Sequence, residues 1–181
     1  MGTLTTITLI TSGCEPASPD QIAQGSATIV KRSNQPKQEV SVASVSGSWT
    51  GTCMLDPNKN KIYRRDVLEI SSHYMTAATN FFSDSKCKMK LFTQSLSGFY
   101  ELNHETMTVT YSNVSILPQA AIIALMFNQK DGFCKAMDWV VNQLRIVNDV
   151  RECGFPAVTK SKIERYGPNE LFLGDQKFLM N

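Results

Sequence analysis

The sequence predicts an all-β domain: about eight short antiparallel strands in a meander that closes into a barrel, with one short helix. Three observations carry this expectation. Beyond Gly47 the chain falls into segments rich in β-branched and aromatic residues, separated by turn-forming Asp, Asn, Gly and Pro. All nine Phe, five Tyr and two Trp residues lie at or after Trp49. Four cysteines, Cys53, Cys87, Cys134 and Cys153, are spread through the same region. Short strands in series manage their open edges by closing on themselves, which favours a barrel. A β-sandwich is the alternative arrangement of the same strands.

In order along the chain, SWTGTCML (48–55) reads as the first strand, stopped by the turn-forming DPNKNK (56–61). YRRDVLEI (63–70) places Asp66, Leu68 and Ile70 on one face and Arg65, Val67 and Glu69 on the other. YMTAATNFF (74–82) is the next strand, and KMKLFTQSLSGFYEL (88–102) the one after, with a bend or bulge expected at Gly98. NHE (103–105) is a short turn, and TMTVTYSNV (106–114) alternates Met107, Val109 and Tyr111 against Thr108, Thr110 and Ser112. The period then changes: LPQAAIIALMFNQK (117–130) has the Ala/Ile/Leu/Met body of a short helix whose apolar face covers the sheet. MDWVVNQLRIV (137–147) alternates imperfectly and fits strand or helix. TKSKIERY (159–166) and ELFLGD (170–175) close as a hairpin through GPN.

Composition narrows the functions. Over 181 residues, 18 basic and 16 acidic side chains give a net charge of only +2, with no basic run, which excludes nucleic-acid binding. There is no G-x-S-x-G, H-E-x-x-H or P-loop, and Asp84, His104 and Glu105 fall in turns where solvated polar side chains are the rule, so no enzyme is expected. The two histidines, His73 and His104, stand alone and no C-x-x-C occurs, so neither a metal nor a cofactor is expected.

The segment before Trp49 has a different character. Residues 15–46 are rich in Ser, Gln and Pro and lack aromatics, and read as a flexible linker. The uncharged stretch MGTLTTITLITSG ends against Cys14 with small residues Thr11, Ser12 and Gly13. This resembles the lipobox of bacterial lipoprotein signal peptides. The resemblance implies a signal peptide at 1–13, acylation of Cys14 (palmitate or a similar chain), and a protein held on an envelope membrane. Glu15 after the Cys leans that expectation towards the outer membrane, facing the periplasm or the cell surface. Export also fits an even number of remaining cysteines. Of their three pairings, Cys53–Cys87 and Cys134–Cys153 are expected, because sequential pairs link neighbouring strands of a meander.

GSW, at 47–49 on the first strand, resembles the Gly-x-Trp signature of lipocalins and the wider calycin group. The resemblance implies that Trp49 plugs one end of the barrel, with Arg165 packed on it by a cation–π contact. It also implies a small hydrophobic ligand, for which Phe81, Phe92, Met107 and Tyr111 are the candidate contacts. The alternative is a module with a filled core that binds or inhibits another envelope protein through its loops.

Overall fold

Polar and apolar residues alternate through most of the chain beyond Gly47, and the backbone follows that period. The structure, a computed structural model, describes residues 33–59, 61–129 and 132–181. In chain order the elements are β1 (Lys37–Gln38), the single turn α1 (Val42–Val45), β2 (Gly47–Gly51), β3 (Met54–Leu55), β4 (Tyr63–Ile70) and β5 (Tyr74–Phe82). They continue with β6 (Lys90–Asn103), β7 (Thr106–Pro118), the helix α2 (Ala121–Phe127), β8 (Arg145–Val147), a 3-10 turn (Val150–Cys153), β9 (Val158–Tyr166), β10 (Glu170–Leu173) and β11 (Gln176–Met180).

Eight of these strands form a closed antiparallel ring in the order β2-β4-β5-β6-β7-β9-β10-β11, with β11 returning to β2. The closing seam pairs Trp49 with Met180 and Gly51 with Phe178. One sheet closed on itself replaces the sandwich alternative. The meander is interrupted once, between β7 and β9. There the chain leaves as α2 and an irregular segment, returns as β8 against the second half of β7, and enters β9 against the first half. Residues 119–157 thus make a cap, within which Cys134 and Cys153 are joined.

The period-two pattern decides which side chains face inward. On β4 Asp66, Leu68 and Ile70 are buried and Glu69 is exposed. Trp49, Leu68, Ile70, Met75, Tyr100, Met107, Ile163, Leu171 and Phe178 pack together with Val45 as the main core. A second cluster lies under the cap, around Val114, Ile116, Ala124, Trp139 and Val147. A third joins Phe81 and Phe92 to Ile123 of α2. The bulge expected at Gly98 is present as a register shift between Ser97 and Gly98. A Cβ at Gly98 would stand 2.1 Å from the Thr110 carbonyl oxygen, so only glycine allows β7 to approach this closely.

Several sequence expectations need correction. The flexible linker does not extend to Ser46: β1 pairs with β9, and α1 buries Val45 completely. A capping box between Ser41 and Ser44 holds that turn, and its apolar residue faces the barrel end. The signal-peptide stretch, Cys14 and the linker as far as residue 32 lie outside the described residues. The first strand is two, β2 and β3, both paired to β4. Residues 137–144 are neither strand nor helix, and only Arg145–Val147 is extended. Finally, QKFLM forms β11, a strand not expected, and it is the one that closes the ring.

Candidate functional site

The two ends of the barrel differ in chemistry. At one end Trp49 is fully buried and its indole Nε1 donates to the Val45 carbonyl at 2.8 Å. The guanidinium carbon of Arg165 lies 5.9 Å from the Trp49 ring centroid. Arg165 is itself held by carbonyls, donating to Ser44, to Pro168 at 2.8 Å and to Gly167 at 3.3 Å. The structure therefore brings Trp49 and Arg165 together, with α1 closing over both.

Just outside this end, four charges form a network across three segments. Lys37 of β1 lies 2.5 Å from Glu105 and 3.0 Å from Glu164, while Lys162 lies 2.7 Å from Glu164 and 3.7 Å from Glu105. The hydrogen bond from Lys37 is the main reason the Glu105 carboxyl is held below its usual range. Burial pushes the Glu164 carboxyl up, but hydrogen bonds from Lys162 and Lys37 outweigh it and hold that group low as well. Lys37 is raised in turn, first by Glu105 and then by Glu164.

A pH dependence follows. Both carboxylates titrate lower in the folded chain than unfolded, so their contribution is complete above the ordinary value of 4.5 and is lost as pH falls through the lowered folded values. Lys37 titrates higher when folded, so its contribution is complete below 10.5 and is lost as pH rises through the raised value. Thermal melts of the wild type and Lys37→Ala should differ by a constant margin between those limits and converge towards both extremes. A margin that persists undiminished at pH ~2 would rule out the ionic account.

The other end is aromatic and basic. Phe81 and Phe92 stack with centroids 4.2 Å apart, and Phe127 meets Phe92 edge-on at 5.4 Å. The Lys59 ammonium lies over this stack, 4.1 Å from the Phe81 centroid and 5.1 Å from that of Phe92. Partial burial against the rings lowers its pKa, against the opposing pull of Asp56. Arg64 pairs across the strands with Phe81. Its Nε is buried without a hydrogen-bond partner but forms an ion pair with Asp66, whose Oδ2 is 3.6 Å away. Asp66 is already committed, accepting from Thr79 at 2.6 Å and from Gln176.

The four candidate ligand contacts do not form one lining. Phe81 and Phe92 share the aromatic end, Met107 is fully buried in the main core, and Tyr111 packs against both the main core and the cluster under the cap. The cysteines pair as Cys53–Cys87 and Cys134–Cys153, with S–S distances of 2.08 and 1.99 Å. Asp84 caps the loop before β6, accepting backbone N–H groups of Lys86, Lys88 and Met89, the last being the main reason its carboxyl is held low. His104 sits in the β6–β7 turn with φ 51°.

Sequence reasoning missed Lys59, Arg64, Asp66 and Gln176 as a group. One signal was available: Asp66 shares the apolar face of its strand with Leu68 and Ile70, and a buried carboxylate needs partners. Lys59 carried none, since DPNKNK reads as a solvated turn. Among the described residues no group of three or more His, Cys, Asp or Glu is placed to hold a metal ion, and no helix is long and apolar enough to cross a membrane. No protein-family model matches the chain, and no curated protein matches it.

Proposed function

We propose that the barrel binds a small amphiphilic anion at the Phe81 end, as a carrier or sensor held on a bacterial envelope membrane through acylated Cys14. The observation that carries the reading is the Arg64 Nε, buried beside an aromatic stack with no hydrogen-bond partner. Buried polar groups are normally hydrogen-bonded, and the ion pair with Asp66 at 3.6 Å compensates the Arg64 charge without supplying that bond. A carboxylate or similar headgroup would satisfy Arg64 and accept from Lys59, while its apolar part rests on Phe81 and Phe92. The filled core around Trp49, Met107 and Phe178 limits the ligand to this end. The reading is one of binding, with no chemical step. Ser12–Gly13–Cys14 and the two disulfides support the envelope location, and Cys14→Ser should move the protein from the membrane to the soluble fraction.

The test is native mass spectrometry of protein extracted from membranes in mild detergent, followed by titration with dodecanoate and dodecan-1-ol. An adduct and a clear preference for the acid are expected. Lys59→Gln and Arg64→Gln should each weaken dodecanoate about tenfold, the low end for a charge-assisted hydrogen bond. Equal binding of acid and alcohol, or no binding at ~1 mM, would remove the proposal.

A further inference from the structure

The barrel end that carries Phe81 is also where the positive charge of the chain gathers. The turn and strand start at 56–66 hold Lys59, Lys61, Arg64 and Arg65 against Asp56 and Asp66. The loop 84–90 holds Lys86, Lys88 and Lys90 against Asp84. Seven basic and three acidic side chains leave +4 here, in a chain whose total is +2. Adding Asp175 of the β10–β11 turn, which adjoins through the Gln176–Asp66 hydrogen bond, still leaves +3. Neither segment is a basic run by itself, so the excess arises only when the fold sets them side by side.

Three features hold them there. The Cys53–Cys87 disulfide joins the two loops. The strand register sets Tyr63 opposite Phe82, and Phe82 opposite Lys90. Arg65 and Lys90 then approach one ring, 5.9 and 6.0 Å from the Phe82 centroid, while Lys59 lies over Phe81. Among the described residues, Arg64 alone of the seven forms an ion pair, with Asp66. The other two carboxylates face backbone: Asp56 accepts from the Asn58 N–H, and Asp84 from those of Lys86, Lys88 and Met89. Their capacity is spent on shaping the turns, and the ammonium groups of Lys61, Lys86 and Lys88 are left to solvent.

Apolar side chains stand among these cations. Leu55 and Met89 are each more than half exposed. Leu55 is paired with Tyr63 on the first segment, and Met89 sits between Lys88 and Lys90 on the second, its carbonyl accepting from the Ser83 N–H at 3.0 Å. Cations with interleaved apolar tips match the surface of an anionic bilayer, where phosphate oxygens take the ammonium groups and the tips enter the acyl boundary. A nucleic acid would use the charge but strand Leu55 and Met89 in water. It would also want ring faces for its bases, and Phe81, Phe82 and Phe92 are all buried.

We infer that the 56–66 and 84–90 loops dock this end of the barrel on an anionic lipid surface. The surface adjoins the ligand site proposed above but does not rest on it, since Lys61, Lys86, Lys88, Leu55 and Met89 have no part in that site.

The experiment is co-sedimentation of the full chain carrying Cys14→Ser, so that no acyl group contributes. The vesicles are phosphatidylcholine, alone or with about 30 % phosphatidylglycerol. Pelleting is expected with the mixed vesicles and not with phosphatidylcholine alone, and it should fall as salt rises from about 0.05 to 0.5 M. Each lysine should contribute about fivefold, so Lys61→Asn, Lys86→Gln and Lys88→Gln together should weaken binding about a hundredfold, with the melting curve unchanged. Met89→Ser should weaken it about fivefold at every salt concentration. Equal pelleting with both kinds of vesicle would overturn the inference, as would pelleting with neither, or a triple variant that binds like the wild type. So would retention on polyglutamate or single-stranded DNA that the triple variant loses while vesicles stay unbound, since the partner would then be another polyanion. Dodecanoate binding is read separately and should survive the triple substitution, so either proposal can fail without the other.

Discussion

Trp49→Ala should lower the unfolding free energy by roughly 3 to 5 kcal/mol, the range for emptying a large aromatic site. For a domain of this size the melting temperature should fall by roughly 6 to 20 °C. The effect is large because the indole is fully buried among Leu68, Met107, Ile163 and Leu171, where little can collapse into its place. It also leaves the Val45 carbonyl without the donor now 2.8 Å away. Trp49→Phe keeps most of the ring volume and loses only that hydrogen bond, so roughly 1 to 3 kcal/mol is expected. Arg165 separates a coupled plug from a bystander. In a double-mutant cycle of Trp49→Leu with Arg165→Met, which removes the aromatic face and the cation in turn, a coupling of about 0.5 kcal/mol or more is expected, and strict additivity would show that the cation–π contact contributes nothing. Urea denaturation with an unchanged m-value is the appropriate measurement.

The second large effect is the Cys53–Cys87 bridge. It closes a loop of 34 residues, for which the chain-entropy model gives roughly 4 kcal/mol, against roughly 3 kcal/mol for the 19-residue Cys134–Cys153 loop. Replacing both Cys53 and Cys87 by Ala should therefore remove a large part of a total stability of about 5 to 15 kcal/mol. A loss below ~1 kcal/mol would mean that the 53–87 loop is restrained by other means in the unfolded chain. Non-reducing peptide maps of the wild type should recover the two pairs, and a crossed pair would be incompatible with the fold.

Much of the ring was legible from strand composition between turns and, where one face is buried, from alternation. YRRDVLEI coincides with β4, where residues 66, 68 and 70 share the buried face, whereas YMTAATNFF coincides with β5 through its β-favouring residues, Phe81 and Phe82 both being buried. Gly98 could be read as a bulge because a side-chain-free position in a long strand has few other uses. The cap resisted reading for the opposite reason. Its path depends on contacts that no periodicity records: the Asn128 amide on the Trp139 backbone, the Cys134–Cys153 bond, and left-handed backbone at three residues other than glycine. Its exposed Val140, Leu144 and Ile146 imitate a core strand. β11 was hidden by brevity, since five residues cannot establish a period and its partner β2 is distant in sequence. The basic end was half visible: Asp66 announced a buried carboxylate, but nothing in DPNKNK announced that Lys59 folds back over Phe81.

The seam between β2 and β11 also has a consequence for the order of folding. Residues 49–51 find their neighbours on the side away from β4 only at 178–180, so the ring cannot close until almost the whole chain described here has been synthesised. Hairpins such as β4–β5 and β6–β7 join residues close in sequence and can form early, whereas the seam must wait and must overcome the entropy of a very long loop. Until then β2, paired on one side with β4, is an open edge that carries Trp49, and β10 lacks its outer neighbour. The interval before closure is thus when the nascent chain is most open to pairing with another copy or to capture by a chaperone. The same Gly47–Gly51 segment that anchors the finished core is the last part of it to become safe.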